Sequence, residues 1–229
     1  MRSIIPLLLL GFITFNVLGQ ASKVTDSIKI ALSSYVKNDS TRLNLFLKLA
    51  KTTDSDSEGV KAAEEAVNLA KALNLKSKLG EAYILNAACI LELGNDSLAF
   101  SLLNEALEIF KKSEEEIEEA NVYSGLGRIF QYRSQYYKAI EYNKNALTIY
   151  EKNKNIELSG KANLNLGVCY YLLSDFAEAA QYYLKANNYF EQLGNRQYVA
   201  VTLSNLARTE RELKKYSSSI EYFRKGLSI

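Results

Sequence analysis

The chain repeats itself every 40 residues, and that period constrains the fold more than any other feature. Leu126-Gly127, Leu166-Gly167 and Leu206-Ala207 fall at this spacing. So do Ala99, Ala139, Ala179 and Ser219, and so do Ala66, Ala106, Ala146, Ala186 and Gly226. Tyr142, Tyr182 and Tyr222 follow the same register, as do Tyr136, Phe176 and Tyr216. A fixed period of this length is the signature of stacked supersecondary units, each too small to bury its own apolar face. The register predicts five units: 40–79, 80–119, 120–159, 160–199 and 200–229.

Within a unit the apolar residues follow the helical period twice. Tyr123, Leu126, Gly127 and Phe130 share one helical face, and after a turn at Ser134-Gln135 the residues Ala139, Tyr142, Ala146 and Ile149 form a second stripe. Leu166, Gly167 and Tyr170, then Ala179, Tyr183 and Ala186, repeat the scheme. Gly94-Asn95-Asp96, Ser174-Asp175 and Gly194-Asn195 supply turn residues, with Asp96 and Asp175 expected as helix N-caps. The single proline, Pro6, lies ahead of all five units, so nothing interrupts the helices. Small residues at the Leu-Gly and Ala positions let paired helices approach closely while larger neighbours fill the surrounding space. The expected fold is all-α: a right-handed superhelical solenoid of antiparallel helix hairpins.

These residues resemble the tetratricopeptide repeat family. Its pattern of a large residue, Leu-Gly and an aromatic on the first helix, then Ala, aromatic and Ala on the second, is met by Tyr123, Leu126-Gly127, Phe130, Ala139 and Ala146. Asn143 departs at the second-helix aromatic. Leu166-Gly167, Tyr170, Ala179, Tyr183 and Ala186 match in the next unit, where Asn163 departs. The period exceeds the family's usual ~34 residues. With Gly194-Asn195-Arg196, Ala200, Leu203 and Asn205-Leu206, it is similar to the longer-helix subtype of kinesin light chains and related bacterial sensors.

The resemblance implies a concave groove, lined by first helices, that holds a peptide segment. Carried onto this sequence, it implies Asn121, Ser124, Arg128 and Gln131 from one unit. The next unit gives Lys161, Asn165, Val168 and Tyr171, and the last Ser204, Asn205, Arg208 and Arg211. Asn165 and Asn205 share a repeat position at which relatives hold peptide backbone, since an amide both donates and accepts. Arg128, Lys161, Arg208 and Arg211 would favour an acidic or carboxylate-bearing peptide, because a guanidinium can grip a carboxylate with two parallel bonds. The competing reading pairs the arginines with Glu210 or Glu212 as ordinary solvated residues.

Outside the repeats, Arg2, the apolar run of residues 4–18 and Val17-Leu18-Gly19 form the three-part pattern of a secretory signal peptide, cleaved after Gly19. The run is short of the roughly 20 residues of a membrane span. Residues 20–39 are expected to hold a capping helix, with Ile28, Ala31, Leu32 and Tyr35 on its inner face. The expected location is periplasmic or secreted. At the other end, Leu227 and Ile229 leave an uncovered apolar surface, which points to self-association or a further element.

The remaining features argue against chemistry. The chain has no histidine, so Ser-His-Asp, Cys-His and HExxH sites are excluded. No phosphate loop or metal-ligand spacing occurs, and no cofactor, metal or small-molecule substrate is expected. Lys and Arg number 28 against 26 Asp and Glu, so no basic field argues for nucleic acid. Cys89 and Cys169 occupy one repeat position two units apart, too far for a disulfide between them; small packing residues is the reading, with intermolecular bonding the alternative. Glu114, Glu115, Glu116, Glu118 and Glu119 read as a solvated face rather than a calcium loop. The triplets Asn38-Asp39-Ser40 and Asn95-Asp96-Ser97 match the glycosylation pattern but fall in helix-capping loops.

The expected function is therefore a non-enzymatic, exported scaffold or adaptor for protein–protein interaction. The alternative is the periplasmic sensory input region of a signal-transduction protein, a histidine kinase or a transcriptional regulator, whose output domain lies beyond residue 229.

Overall fold

The computed structural model describes residues 17–53 and 56–229. Among these it has eleven α-helices and no strand: α1 (Val17–Ser34), α2 (Ser40–Thr52), α3 (Asp56–Ala72), α4 (Lys76–Glu92), α5 (Asp96–Ser113), α6 (Glu116–Tyr132), α7 (Tyr136–Lys152), α8 (Ile156–Leu172), α9 (Phe176–Gln192), α10 (Arg196–Glu212) and α11 (Tyr216–Leu227). Residues 1–16 of the expected signal peptide lie outside the described residues, and residues 17–19 open α1. The chain forms two compact units, Met1–Asn95 and Asp96–Ile229. In the second, each helix packs on the next, from α5 through α11.

The helices are cut to equal length by a turn that recurs at half the sequence period. Asn74, Gly94, Glu114, Ser134, Lys154, Ser174, Gly194 and Lys214 all have positive φ, between 53° and 83°. They stand 20 residues apart without exception. At each, the following residue's N–H reaches back to close the helix: Gln135 to Phe130 O at 2.8 Å, Asn155 to Tyr150 O at 2.9 Å, Asp175 to Tyr170 O at 2.9 Å, Asn195 to Phe190 O at 3.0 Å. This is the left-handed C-terminal cap that satisfies orphan carbonyls. The residue that closes one helix also begins the next. The Asn155, Asp175 and Asn195 side chains accept from the N–H groups of Leu158 at 3.0 Å, Glu178 at 3.3 Å and Tyr198 at 3.2 Å.

One expectation needs correction against this register. Asp96 is the first residue of α5, and its carboxylate takes the Arg133 guanidinium at 2.5 Å. The residue in register with the Asp175 cap is Asn95, one position earlier. The first helices begin at Lys76, Glu116, Ile156 and Arg196, ahead of the unit starts at Gly80, Ala120, Gly160 and Ala200. Their opening turns carry no recurring apolar residue, so the repeat pattern does not phase them. The amino-terminal helix starts at Val17 and ends at Ser34. It packs on α2 and α3 through Ile28, in a cluster with Leu49, Ala50, Ala62 and Ala63. Thr25 donates to Thr52 O at 3.0 Å and Lys29 pairs with Glu58 at 2.8 Å.

Glycine is required where hairpin partners touch. A Cβ on Gly167 would stand 2.6 Å from two ring carbons of Tyr183. One on Gly127 would stand 2.4 Å from Asn143 Nδ2 and 3.3 Å from Ala139 O. Ala139, Ala146, Ala179 and Ala186 are wholly buried opposite these positions. Aromatic pairs close the opposite edge: Phe130 stacks on Tyr142 with centroids 5.3 Å apart, and Tyr170 on Tyr182 at 5.2 Å. Such pairs add ~0.5–1.5 kcal/mol beyond the area they bury.

Six of the eight turns hold a residue with a Cβ in a conformation that costs about 1–2 kcal/mol for L-residues other than glycine. Lys154→Gly should therefore raise the free energy of unfolding by up to ~1 kcal/mol, and Gly194→Ala should lower it by about 1 kcal/mol. Urea unfolding followed by circular dichroism measures both.

Candidate functional site

The residues expected to line a groove sit on α6, α8 and α10, all within the second unit. That placement follows from the pairing just described. The Leu-Gly face of each first helix turns into its hairpin, so residues about a third of a turn away remain half-buried on the first-helix side. Ser124, Arg128 and Gln131 on α6 are half-buried, as are Lys161, Asn165, Val168 and Tyr171 on α8. On α10, Ser204 and Arg211 are exposed, Arg208 is half-buried, and Asn205 is buried.

Several of these groups are already engaged. Asn121 accepts from the Tyr150 hydroxyl at 2.8 Å and donates to Glu118 at 2.8 Å, tying α6 to α7. Asn165 donates to Asn143 Oδ1 at 3.4 Å, across the α7–α8 junction, while Asn143 donates to Ala139 O at 2.8 Å. Asn143 thus uses the space that an aromatic fills in the next unit. Lys161 pairs with Glu157 at 2.5 Å and lies over the Tyr198 ring. Arg211 pairs with Glu212 at 2.9 Å, and Glu210 with Lys215 at 3.9 Å. The reading that pairs an arginine with a neighbouring glutamate therefore holds for Arg211.

Arg208 differs. Its guanidinium carbon lies 5.7 Å from the centroid of the Tyr171 ring, over the face, and it has no carboxylate partner among the described residues. The edge of Tyr171 is braced by Phe176, with centroids 5.3 Å apart. Of the implied residues, Tyr171 and Arg208 are brought together across two helices. The residues that position them, Phe176 and Tyr183, entered the sequence reading only as repeat aromatics. Their contacts depend on which turn of α9 faces α8, which the period alone does not reveal.

The other candidates are structural. Burial pushes the Cys169 thiol up to about 12, so it stays protonated and unreactive in the fold. Neither cysteine is in a disulfide, and Cys89 Sγ lies 3.9 Å from Ala50 O. In the acidic run, Glu116 holds Lys152 at 2.6 Å and Asn153 at 3.3 Å. Glu119 accepts from the Tyr123 hydroxyl at 2.5 Å. Burial and that carboxylate push Tyr123 up to about 12. Among the described residues, no group of acidic or cysteine side chains is placed to hold a metal ion. No described helix is long and apolar enough to cross a membrane.

Comparison with known proteins places these features in context. Residues 78–152 and 158–229 match the profile described as tetratricopeptide repeat. The response regulator aspartate phosphatase I of Bacillus subtilis (strain 168) is 32% identical over 96 residues, which cover 42% of this chain and 24% of that protein. The chain thus spans about a quarter of the length of that curated relative. A Rap protein solved in complex with competence and sporulation factor superposes with a TM-score of 0.75 at 16% identity, over 93% of this chain and 71% of that one. Putative kinesin light chain TPR-like repeats of Podosopora anserina give 0.63 at 16% identity, over 82% of this chain and 93% of theirs. At these identities the likeness to the solved structures is one of fold.

Proposed function

Starting from the fact that the chain belongs to the tetratricopeptide repeat family, we propose that it is a scaffold that binds a peptide segment of a protein partner on the face of α6, α8 and α10. The observation that carries this reading is Arg208, a half-buried cation left without a carboxylate partner beside the half-buried ring of Tyr171. Lys161 and Arg211 on the same face have carboxylate partners, whereas Arg208 meets a ring. Support comes also from the similar Rap protein, which was solved with a competence and sporulation factor bound. The peptide in this reading is acidic. No residue of the face has the arrangement of a nucleophile and base, so the role is recognition and not catalysis.

A second reading makes the repeats the sensory input region of a signal-transduction protein. It is favoured by the apolar stripe on α11. Ile220, Phe223 and Leu227 are 52%, 39% and 87% exposed, whereas their counterparts Ala180, Tyr183 and Asn187 are 7%, 2% and 6% exposed beneath the following helix. The stripe offers a seat to another helix or to a second copy of this chain. In both readings the protein is exported, on the strength of the signal-like residues 1–19.

Three measurements bear on these proposals. A twelve-residue display library panned on the purified protein should yield binders. Changing both Arg208 and Arg211 to Glu should weaken them at least ten-fold at unchanged helicity by circular dichroism, and unchanged binding removes the groove assignment. Light scattering should show an assembly larger than one chain that reverts to a monomer in Ile220→Glu/Phe223→Glu; a wild-type monomer argues against self-association. Edman sequencing of the protein recovered from its source should begin at Gln20; a chain beginning at Met1 in the cytoplasm overturns export.

A further inference from the structure

We propose that Glu210 forms the base of a socket, between α9 and α11, that takes the basic side chain of a protein partner. Two positions along a helix lie about 200° apart around its axis, so Glu210 faces away from Arg208 and the proposed peptide face. The repeat register shows that a carboxylate is out of place here. The same position holds Ile90, Phe130 and Tyr170 in the earlier units. Phe130 stacks on Tyr142 and Tyr170 on Tyr182. Tyr222 on α11 keeps the register of those tyrosines, with a carboxylate in place of the ring. Glu210 is 8% exposed, so it occupies a core position as its counterparts do. A carboxylate taken out of water is costly unless donors meet it.

The protein itself meets this carboxylate poorly. Among the described residues Glu210 accepts no side-chain hydrogen bond, and its one ion pair is to Lys215 at 3.9 Å, too long for a hydrogen bond. The Lys215 side chain is 61% exposed, so it can swing aside. The earlier units show which positions bring cations to this place. Lys144 lies over the Tyr170 ring at 5.8 Å, and Arg133 and Lys138 lie over Phe130 at 5.9 and 5.3 Å. In register with them stand Leu184, Leu213 and Ser218, none of which carries a charge. Lys225 lies over the Tyr222 ring at 6.0 Å, but Glu221 holds it at 2.9 Å. Leu184 is 41% exposed, and Leu213, Ser218 and Tyr222 are half-buried. The register thus groups two apolar side chains, a hydroxyl and a ring about one near-buried carboxylate. Apolar walls suit the methylene stem of Lys or Arg, whose charged head pairs with the carboxylate. A ring adds attraction for the same cation. One carboxylate supplies too few oxygens for a metal ion.

The test uses a synthetic random twelve-residue peptide library, acetylated and amidated so that every charge selected is a side chain. The full chain should enrich a group of peptides with one Lys or Arg at a constant position. By fluorescence anisotropy these should bind Glu210→Gln roughly ten-fold more weakly, and bind the Arg208→Glu/Arg211→Glu double variant with unchanged affinity. Glu210→Asp should recover part of the loss. Leu184→Lys puts a lysine of the protein where Lys144 stands one unit earlier, and it should weaken binding as Glu210→Gln does. Leu184 is exposed, so this variant tests the socket without touching the carboxylate. Glu210→Tyr, which restores the residue found at Tyr170, should abolish binding and move the urea midpoint of unfolding upward. Circular dichroism confirms that each variant is folded. Enriched peptides without a basic position, a basic preference that survives Glu210→Gln, or full affinity in Leu184→Lys overturns the socket. So does a urea midpoint that falls in both Glu210→Gln and Glu210→Tyr, which marks the carboxylate as part of the hairpin's own packing. Basic peptides that lose affinity in the double variant but not in Glu210→Gln overturn it as well, and assign them to the face of α6, α8 and α10.

Discussion

Helices α3 to α10 all end in one arrangement, a left-handed residue followed by an N–H that closes back five residues. The rest of the fold depends on it. The turn fixes nearly every helix at 17 residues, roughly 26 Å. Within each unit it makes the connections so short that consecutive helices are antiparallel neighbours, and it sets the phase with which one apolar stripe meets the next. A single insertion in one helix would rotate all later residues by about 100° about its axis and misplace the glycine contacts. The chain from residue 74 onward contains none.

Given equal helices in fixed phase, packing needs only a few residue types at the crossing points. Gly127 and Gly167 let α6 and α8 lie against side chains of α7 and α9 that would otherwise clash. What fills the space differs by unit. Tyr183 occupies it with a ring, whereas Asn143 occupies it with an amide that bonds its own helix and reaches Asn165 on α8. The polar choice converts an apolar contact into a bridge between hairpins. Tyr150 to Asn121 and Thr202 to Asn187, each a buried or half-buried bond at 2.8–2.9 Å, join adjacent helices in the same way. A buried hydrogen bond adds ~0.5–1.5 kcal/mol net, but leaving one partner unmet costs more, so these pairs specify which helix sits where.

The proposed binding face is defined by subtraction. Its cations look alike in the sequence, yet Lys161 and Arg211 have acidic neighbours one turn or one residue away, and those neighbours quench them. Surface pairs of this kind contribute little to stability. They do remove charge from the face. What remains concentrates on Arg208, held by an aromatic ring on a neighbouring helix. Specificity on a repeat scaffold can thus rest on one unpaired group rather than on the sum of a basic patch.

The sequence by itself determined the helical class, the hairpin repeat and the identity of the close contacts. Leu-Gly and Ala at a spacing of 40 can mean little else when no breaker interrupts them. The apolar positions read from it, Leu126, Phe130, Ala139, Leu166 and Ala179 among them, are buried. The half-period of 20 was not legible, because its marker is a backbone angle carried by Asn, Gly, Glu, Ser and Lys alike. The same blindness placed a cap at Asp96 rather than one residue earlier. The candidate site was legible as a row of helix positions, since helical spacing alone puts Asn165, Val168 and Tyr171 on one side of α8. Which of those positions carry an unspent charge was decided only by the tertiary structure. That property depends on distances between side chains of different helices, and residue identity at one position holds no record of them.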